Sequence, residues 1–184
     1  MIEGCPVDID SDSCGDLHPL PNGDFAWSGE YVVAGQSPLR WKVVVNPDPV
    51  IFATLMVTNI SSLTQVMSMT VAIPAAAIPA TFCAASVIGT LLDGNGDGAA
   101  LSMVPGTSGF TGSIDSRPFL TLLDSTFLTV APPGGLAPFG PVSLGLPGPT
   151  LAGPPLTMDM RVSLEFLLTP GDTLVVTGTF VVVP

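Results

Sequence analysis

The sequence predicts an all-β protein, an antiparallel β-sandwich of the jelly-roll or immunoglobulin-like kind, and three observations carry that expectation. Apolar and polar residues alternate with a period of two wherever the chain is regular, as in Met160-Arg161-Val162-Ser163-Leu164-Glu165-Phe166. Turn-forming stretches such as Asn59-Ile60-Ser61-Ser62 and Thr169-Pro170-Gly171-Asp172 separate these runs. No segment combines a helical period with caps at both ends. The spacing of the turns corresponds to about eight to ten strands.

Residues 1–23 are set apart by their acidity, with Glu3, Asp8, Asp10, Asp12 and Asp16, and read as a solvated tail or a donor strand. Cys5 and Cys14 lie in this segment. They are placed to close a small disulfide loop in an oxidising compartment, with a metal pair or two free thiols as the alternatives. A single sandwich domain, residues 24–184, follows. Its first two strands carry Trp27, Tyr31 and Trp41. Ile51–Thr58 alternates and is rich in β-branched residues, and Asn59–Ser62 is the turn that leads to Thr64–Ile73. There Met67, Met69, Val71 and Ile73 share one face. Ala75–Ala85 is Ala-rich, but Pro74 and Pro79 limit it to one short helical turn. Cys83, inside an apolar run, reads as a small buried hydrophobe. From Ala131 to Pro155, eight Pro and six Gly fill 25 residues, which predicts a long Pro/Gly-rich surface loop, with a linker followed by an edge strand as the alternative. Thr169–Asp172 then joins two long strands in a hairpin, the second being Thr173–Val183.

Composition narrows the function. The 184 residues include 15 acidic and 4 basic side chains, a net charge of -11, with 47% hydrophobic residues. Arg40, Lys42, Arg117 and Arg161 are too few to neutralise phosphates, so nucleic acid is excluded as a partner and anionic membranes are disfavoured. With 20 Gly and 20 Pro, a transmembrane helix is not expected. Met1–Asn22 has no basic n-region and no apolar h-region, so it does not read as a signal peptide. The scarcity of Lys is a mild pointer to the cell exterior.

Three constellations are candidates for chemistry. Asp93-Gly94-Asn95-Gly96-Asp97-Gly98 matches the first half of a calcium loop, with oxygen ligands at Asp93, Asn95 and Asp97. Its twelfth position is Val104 where a bidentate Glu is required, and the apolar alternation on either side favours a metal-free hairpin loop. Trp27, Tyr31 and Trp41 could stack on sugar rings if exposed, although core packing is the commoner use of Trp in a sandwich. Catalysis is not expected. The lone histidine, His18, has no nucleophile and orienting partner beside it, and the carboxylates Glu30, Asp48, Asp115, Asp124, Asp159 and Glu165 read as surface groups.

Phe25-Ala26-Trp27-Ser28-Gly29-Glu30-Tyr31, Trp41-Lys42-Val43-Val44-Val45-Asn46-Pro47-Asp48-Pro49, the Gly89–Ala99 segment and the ending Leu164–Asp172 with Phe180–Pro184 resemble a group of bacterial exported β-proteins. The likeness is to the PEP-CTERM proteins, substrates of exosortase sorting, and covers roughly Asp24 to Pro184. It implies an extracellular, non-enzymatic surface or matrix protein linked to exopolysaccharide and biofilm. The family's Pro-Glu-Pro motif, transmembrane segment and basic tail do not occur within Met1–Pro184.

The expected function is therefore a structural protein of the cell surface that assembles with copies of itself. The apolar Phe180-Val181-Val182-Val183 is the strand expected to complete a neighbouring sheet. The alternatives are a carbohydrate-binding module and a calcium-stabilised adhesin.

Overall fold

The computed structural model describes residues 16–31, 39–46 and 49–184. Their fourteen strands form two antiparallel sheets with no helix between them, so the all-β sandwich expected from the alternation is what the chain adopts. The eight-stranded sheet runs β1 (Asp16–Pro19), β2 (Phe25–Tyr31), β3 (Leu39–Asn46), β4 (Val50–Thr58), β14 (Thr173–Val183), β6 (Thr81–Leu92) and β11 (Leu136–Leu144), with β12 (Leu151–Gly153) also on β6. In the six-stranded sheet, β13 (Asp159–Leu168) is central. It pairs on one side with β5 (Gln65–Pro74) and on the other with β7 (Ala99–Ser102) and β8 (Phe110–Ile114). Beyond these lie β10 (Leu128–Ala131) on β7 and β9 (Arg117–Leu122) on β8.

The core is the product of alternation on both sheets. Met160, Val162, Leu164, Phe166 and Leu168 point inward from β13, and Leu174, Val176, Phe180 and Val182 answer them from β14. Phe110, Phe166 and Phe180 are among the largest fully buried side chains, each worth roughly 1.5–3 kcal/mol of burial. The ring of Phe110 lies over Gly178, where an added Cβ would meet it at 2.8 Å, so the glycine makes room for the aromatic ring. Met67, Val71 and Ile73 are buried and Met69 packs on the core as expected, and Cys83 is a buried free thiol.

Several expectations need correction. The Thr169–Asp172 turn does not close a hairpin, because β13 and β14 lie in different sheets. The same holds for Asn59–Leu63 between β4 and β5 and for Asp93–Gly98 between β6 and β7. All three are crossings that fold one sheet over the other. The 131–155 stretch is not a surface loop: it contributes β11 and β12, the outermost partners of β6. Its prolines are tolerated because Pro138 and Pro141 sit on an edge strand, with a register shift between Phe139 and Val142. Ala75–Ala85 forms no helical turn; Ile78 bridges to Leu156 and β6 begins at Thr81. The sandwich also begins before residue 24, since β1 pairs with β2 of the same chain.

The largest correction concerns Phe180–Val183. This segment ends β14, which is flanked by β4 and β6. Val181 pairs with both Val50 and Ala84, and the Val182 N–H donates to the Pro49 carbonyl at 3.0 Å. A strand at the middle of a sheet has no free edge to offer a neighbour. Among the described strands the edges are instead β1, β11 and β12 in one sheet and β5, β9 and β10 in the other, each pairing with a single neighbour. Of these, β5, which pairs only with β13, is the long, uncharged one with an unbroken register.

Candidate functional site

Four chain crossings meet at one end of the sandwich: 59–64, 93–98, 132–135 and 169–172. Asn59 is their hub. It is completely buried, and its Nδ2 donates to the carbonyls of Leu63 and Leu168 at 2.8 Å each. Its Oδ1 accepts from the Ser61 N–H and hydroxyl. Along the main chain, Asn59 N–H donates to the Asp172 carbonyl and its own carbonyl accepts from Gly171 N–H.

The 93–98 crossing folds around the Asp93 carboxylate. Oδ1 accepts from the N–H groups of Asn95 and Gly96, and Oδ2 accepts from those of Gly98 and Gly134. The Gly134 N–H leads in holding Asp93 below the usual carboxylate range. Asn95 Nδ2 donates to the Pro170 carbonyl at 3.0 Å, which ties this crossing to the 169–172 turn. The two backbones touch: a methyl group on Gly94 would run into the carbonyl oxygen of Gly171. Only glycine allows that approach.

This contact brings in a residue that the sequence reading did not single out. Asp172 has no exposed surface. Its Oδ2 accepts a short hydrogen bond from the Thr169 hydroxyl, while Oδ1 has no partner. Burial is the main force pushing its pKa up; the Thr169 hydroxyl and Gly94 N–H oppose this, and the charges of Asp93 and Asp97 add to the rise. One carboxylate oxygen from each of Asp93, Asp97 and Asp172 lies within 4.8 Å of the others. Asn95 stands beside this cluster, but its oxygen accepts the Asp97 N–H. The expected set of Asp93, Asn95 and Asp97 is thus reorganised into three carboxylates. A Thr-Pro-Gly-Asp turn signals only a turn; nothing in it announces that its last residue faces another loop.

The remaining expected sites fare differently. Trp41 is buried and Trp27 packs against it with ring centroids 5.0 Å apart. Trp41 leaves no free face for a sugar, Trp27 is half-buried, and the side chain of Tyr31 lies outside the described residues, as do Cys5, Cys14 and Asp48. His18 is exposed on β1. Glu30 pairs with Arg40 and Asp159 with Arg161. Asp115 caps the main chain at Thr157–Asp159, and Asp124 accepts from the Thr126 N–H and hydroxyl. Asp115, Asp124 and Asp159 are thus occupied in holding turns together, and Glu30 in a cross-strand ion pair. Among the described residues, no helix is long and apolar enough to cross a membrane.

The fold and the site define an antiparallel β-sandwich whose crossings gather acidic side chains at one end. No protein-family model, curated protein or solved structure matches this chain.

Proposed function

We propose that this chain is a non-enzymatic structural protein of the cell exterior that assembles with copies of itself along the bare edge of β5. The observation that carries the reading is the strand itself. Gln65–Pro74 spans ten residues without a charge, and its regular pairing to β13 shows no register shift. Edge strands of monomeric proteins are usually blunted by charge, bulges or short length. Here Val66, Ser68 and Thr70 face solvent on the outer side instead.

The occupant is a second copy of β5, laid antiparallel about a two-fold axis so that two six-stranded sheets become continuous. Charge favours this pairing. A chain of net charge -11 repels its copies over most of its surface, but two uncharged strands meet without opposing like charges. The outer face of the eight-stranded sheet offers a second contact for extending an assembly. Phe52, Met56, Phe82 and Ile88 are exposed there, beside the hydroxyl pair Thr54–Thr177. Location outside the cell rests on the scarcity of Lys and the resemblance to exported β-proteins.

Sedimentation velocity and electron microscopy of the wild type and a Val66→Lys/Ser68→Lys variant test the reading. The wild type is expected to form dimers and larger species, and the variant to stay monomeric with an unchanged melt. A wild type that stays monomeric at high concentration refutes it, and so does a double variant that assembles normally.

A further inference from the structure

We propose that Asp93, Asp97 and Asp172 hold a calcium ion that ties the 93–98 crossing to the 169–172 crossing. Two independent observations carry this. The first is the gathering of one oxygen from each carboxylate within 4.8 Å, in loops far apart in sequence and locked together by the Asn95–Pro170 hydrogen bond and the Gly94–Gly171 contact. The second is the state of Asp172. It is wholly buried, and its Oδ1 has no hydrogen-bond donor. A buried carboxylate oxygen without a partner is costly, and two further carboxylates beside it add to the cost. A cation among the three groups removes both costs at once.

Among the described residues, no basic group is paired with this cluster. Neither crossing contains Lys or Arg, and the described ion pairs lie elsewhere, at Arg40–Glu30 and Arg161–Asp159. The donors are all oxygens from carboxylates, with no sulfur or imidazole, which selects a hard ion over zinc or copper. Donors from irregular loops suit the adaptable shell of calcium better than the strict octahedron of magnesium. Asp93 already accepts four N–H groups, so its part is charge and one shared oxygen. Asp97 and Asp172 are the principal ligands, and main-chain carbonyls and water complete a shell of about six to eight oxygens.

The experiment uses the full chain and Asp97→Asn and Asp172→Asn variants, with calorimetric titration of calcium chloride and thermal melts in calcium or EDTA. The wild type is expected to bind calcium with Kd of about 0.1–1 mM, the range of extracellular modules. Its Tm should rise by about 5–10 °C when calcium is 100 times Kd, and magnesium should shift it less. Asp97→Asn, at an exposed position, should weaken binding at least about tenfold, a loss of about 1.4 kcal/mol. Asp172→Asn should lose the calcium shift while melting no lower than the wild type in EDTA, because like charges have been separated. Absence of heat and of a Tm shift in the wild type overturns the site. A wild-type calcium response in Asp97→Asn also overturns it, whether or not Asp172→Asn folds. An equal response to magnesium overturns the assignment to calcium.

Discussion

Replacing Asn59 by alanine tests whether the 59–64 and 169–172 crossings act as one unit. The side chain makes four hydrogen bonds, two as donor to Leu63 and Leu168 and two as acceptor from Ser61. In Asn59→Ala the Leu63 carbonyl keeps the Ser61 hydroxyl, 2.7 Å away, whereas Leu168 loses this donor in a buried setting. A stripped buried carbonyl costs about 1–3 kcal/mol and each of the other lost bonds about 0.5–1.5 kcal/mol, so the sum is about 2.5–7.5 kcal/mol. For a domain of this size that lowers Tm by at least about 5 °C. Urea unfolding followed by circular dichroism measures it as a shift in midpoint at constant slope.

Asn59→Asp has almost the same shape but turns the acceptor face of a carboxylate toward two carbonyls. It is expected to be less stable than Asn59→Ala at neutral pH. Its folded pKa is raised, so protonation favours the native state, and its deficit relative to Asn59→Ala should shrink as pH falls toward and below that raised value. An Asn59→Ala loss below about 1 kcal/mol would refute the hub, as would identical, pH-independent behaviour of the two variants.

Three further outcomes follow from the packing and the turns. Gly178→Ala puts a methyl group 2.8 Å from the ring of Phe110 and should cost about 1–3 kcal/mol in a urea melt; an unchanged midpoint would show that the ring moves aside freely. Asp115 is held down to about 2, first by the Thr157 hydroxyl and then by the N–H groups of Thr157, Met158 and Asp159. With the folded pKa below the unfolded one, its stabilisation is complete above about pH 5 and is lost as pH falls toward about 2. Melts across that range should show a smaller acid loss for Asp115→Asn than for the wild type. Cys83 is buried and burial raises its thiol pKa, so a thiol reagent should label it only after unfolding; rapid labelling of this position in native protein would contradict the core placement.

Much of the fold was legible because a strand with one buried face writes its period into its residues. Met160–Leu168 and Thr173–Val183 alternate in sequence as they do in burial. The short strands escaped notice, which is why about eight to ten were expected where fourteen are present. β11 and β12 were hidden because prolines and glycines normally break strands, and only their place at the sheet edge makes them tolerable. Two of the three carboxylates of the candidate site were visible as well. Asp93 and Asp97 sit in a recognisable acidic loop, but Asp172 lies more than seventy residues away in a turn like many others.

Local chemistry by itself determined which residues face inward, where the chain turns, and that a strongly acidic, Lys-poor sandwich should result. Those properties depend on neighbours one or two residues away, through the pleat and the preferred turn conformations of Gly, Pro, Asn and Asp. Tertiary structure alone decided whether a turn closes a hairpin or crosses between sheets, because a turn sequence sets a bend and not the strand that will receive its hydrogen bonds. It placed β14 inside one sheet and left β5 at an edge of the other. It also brought Asp172 against Asp93 and Asp97, since carboxylates repel one another and are gathered only where the packing of two sheets outweighs that repulsion.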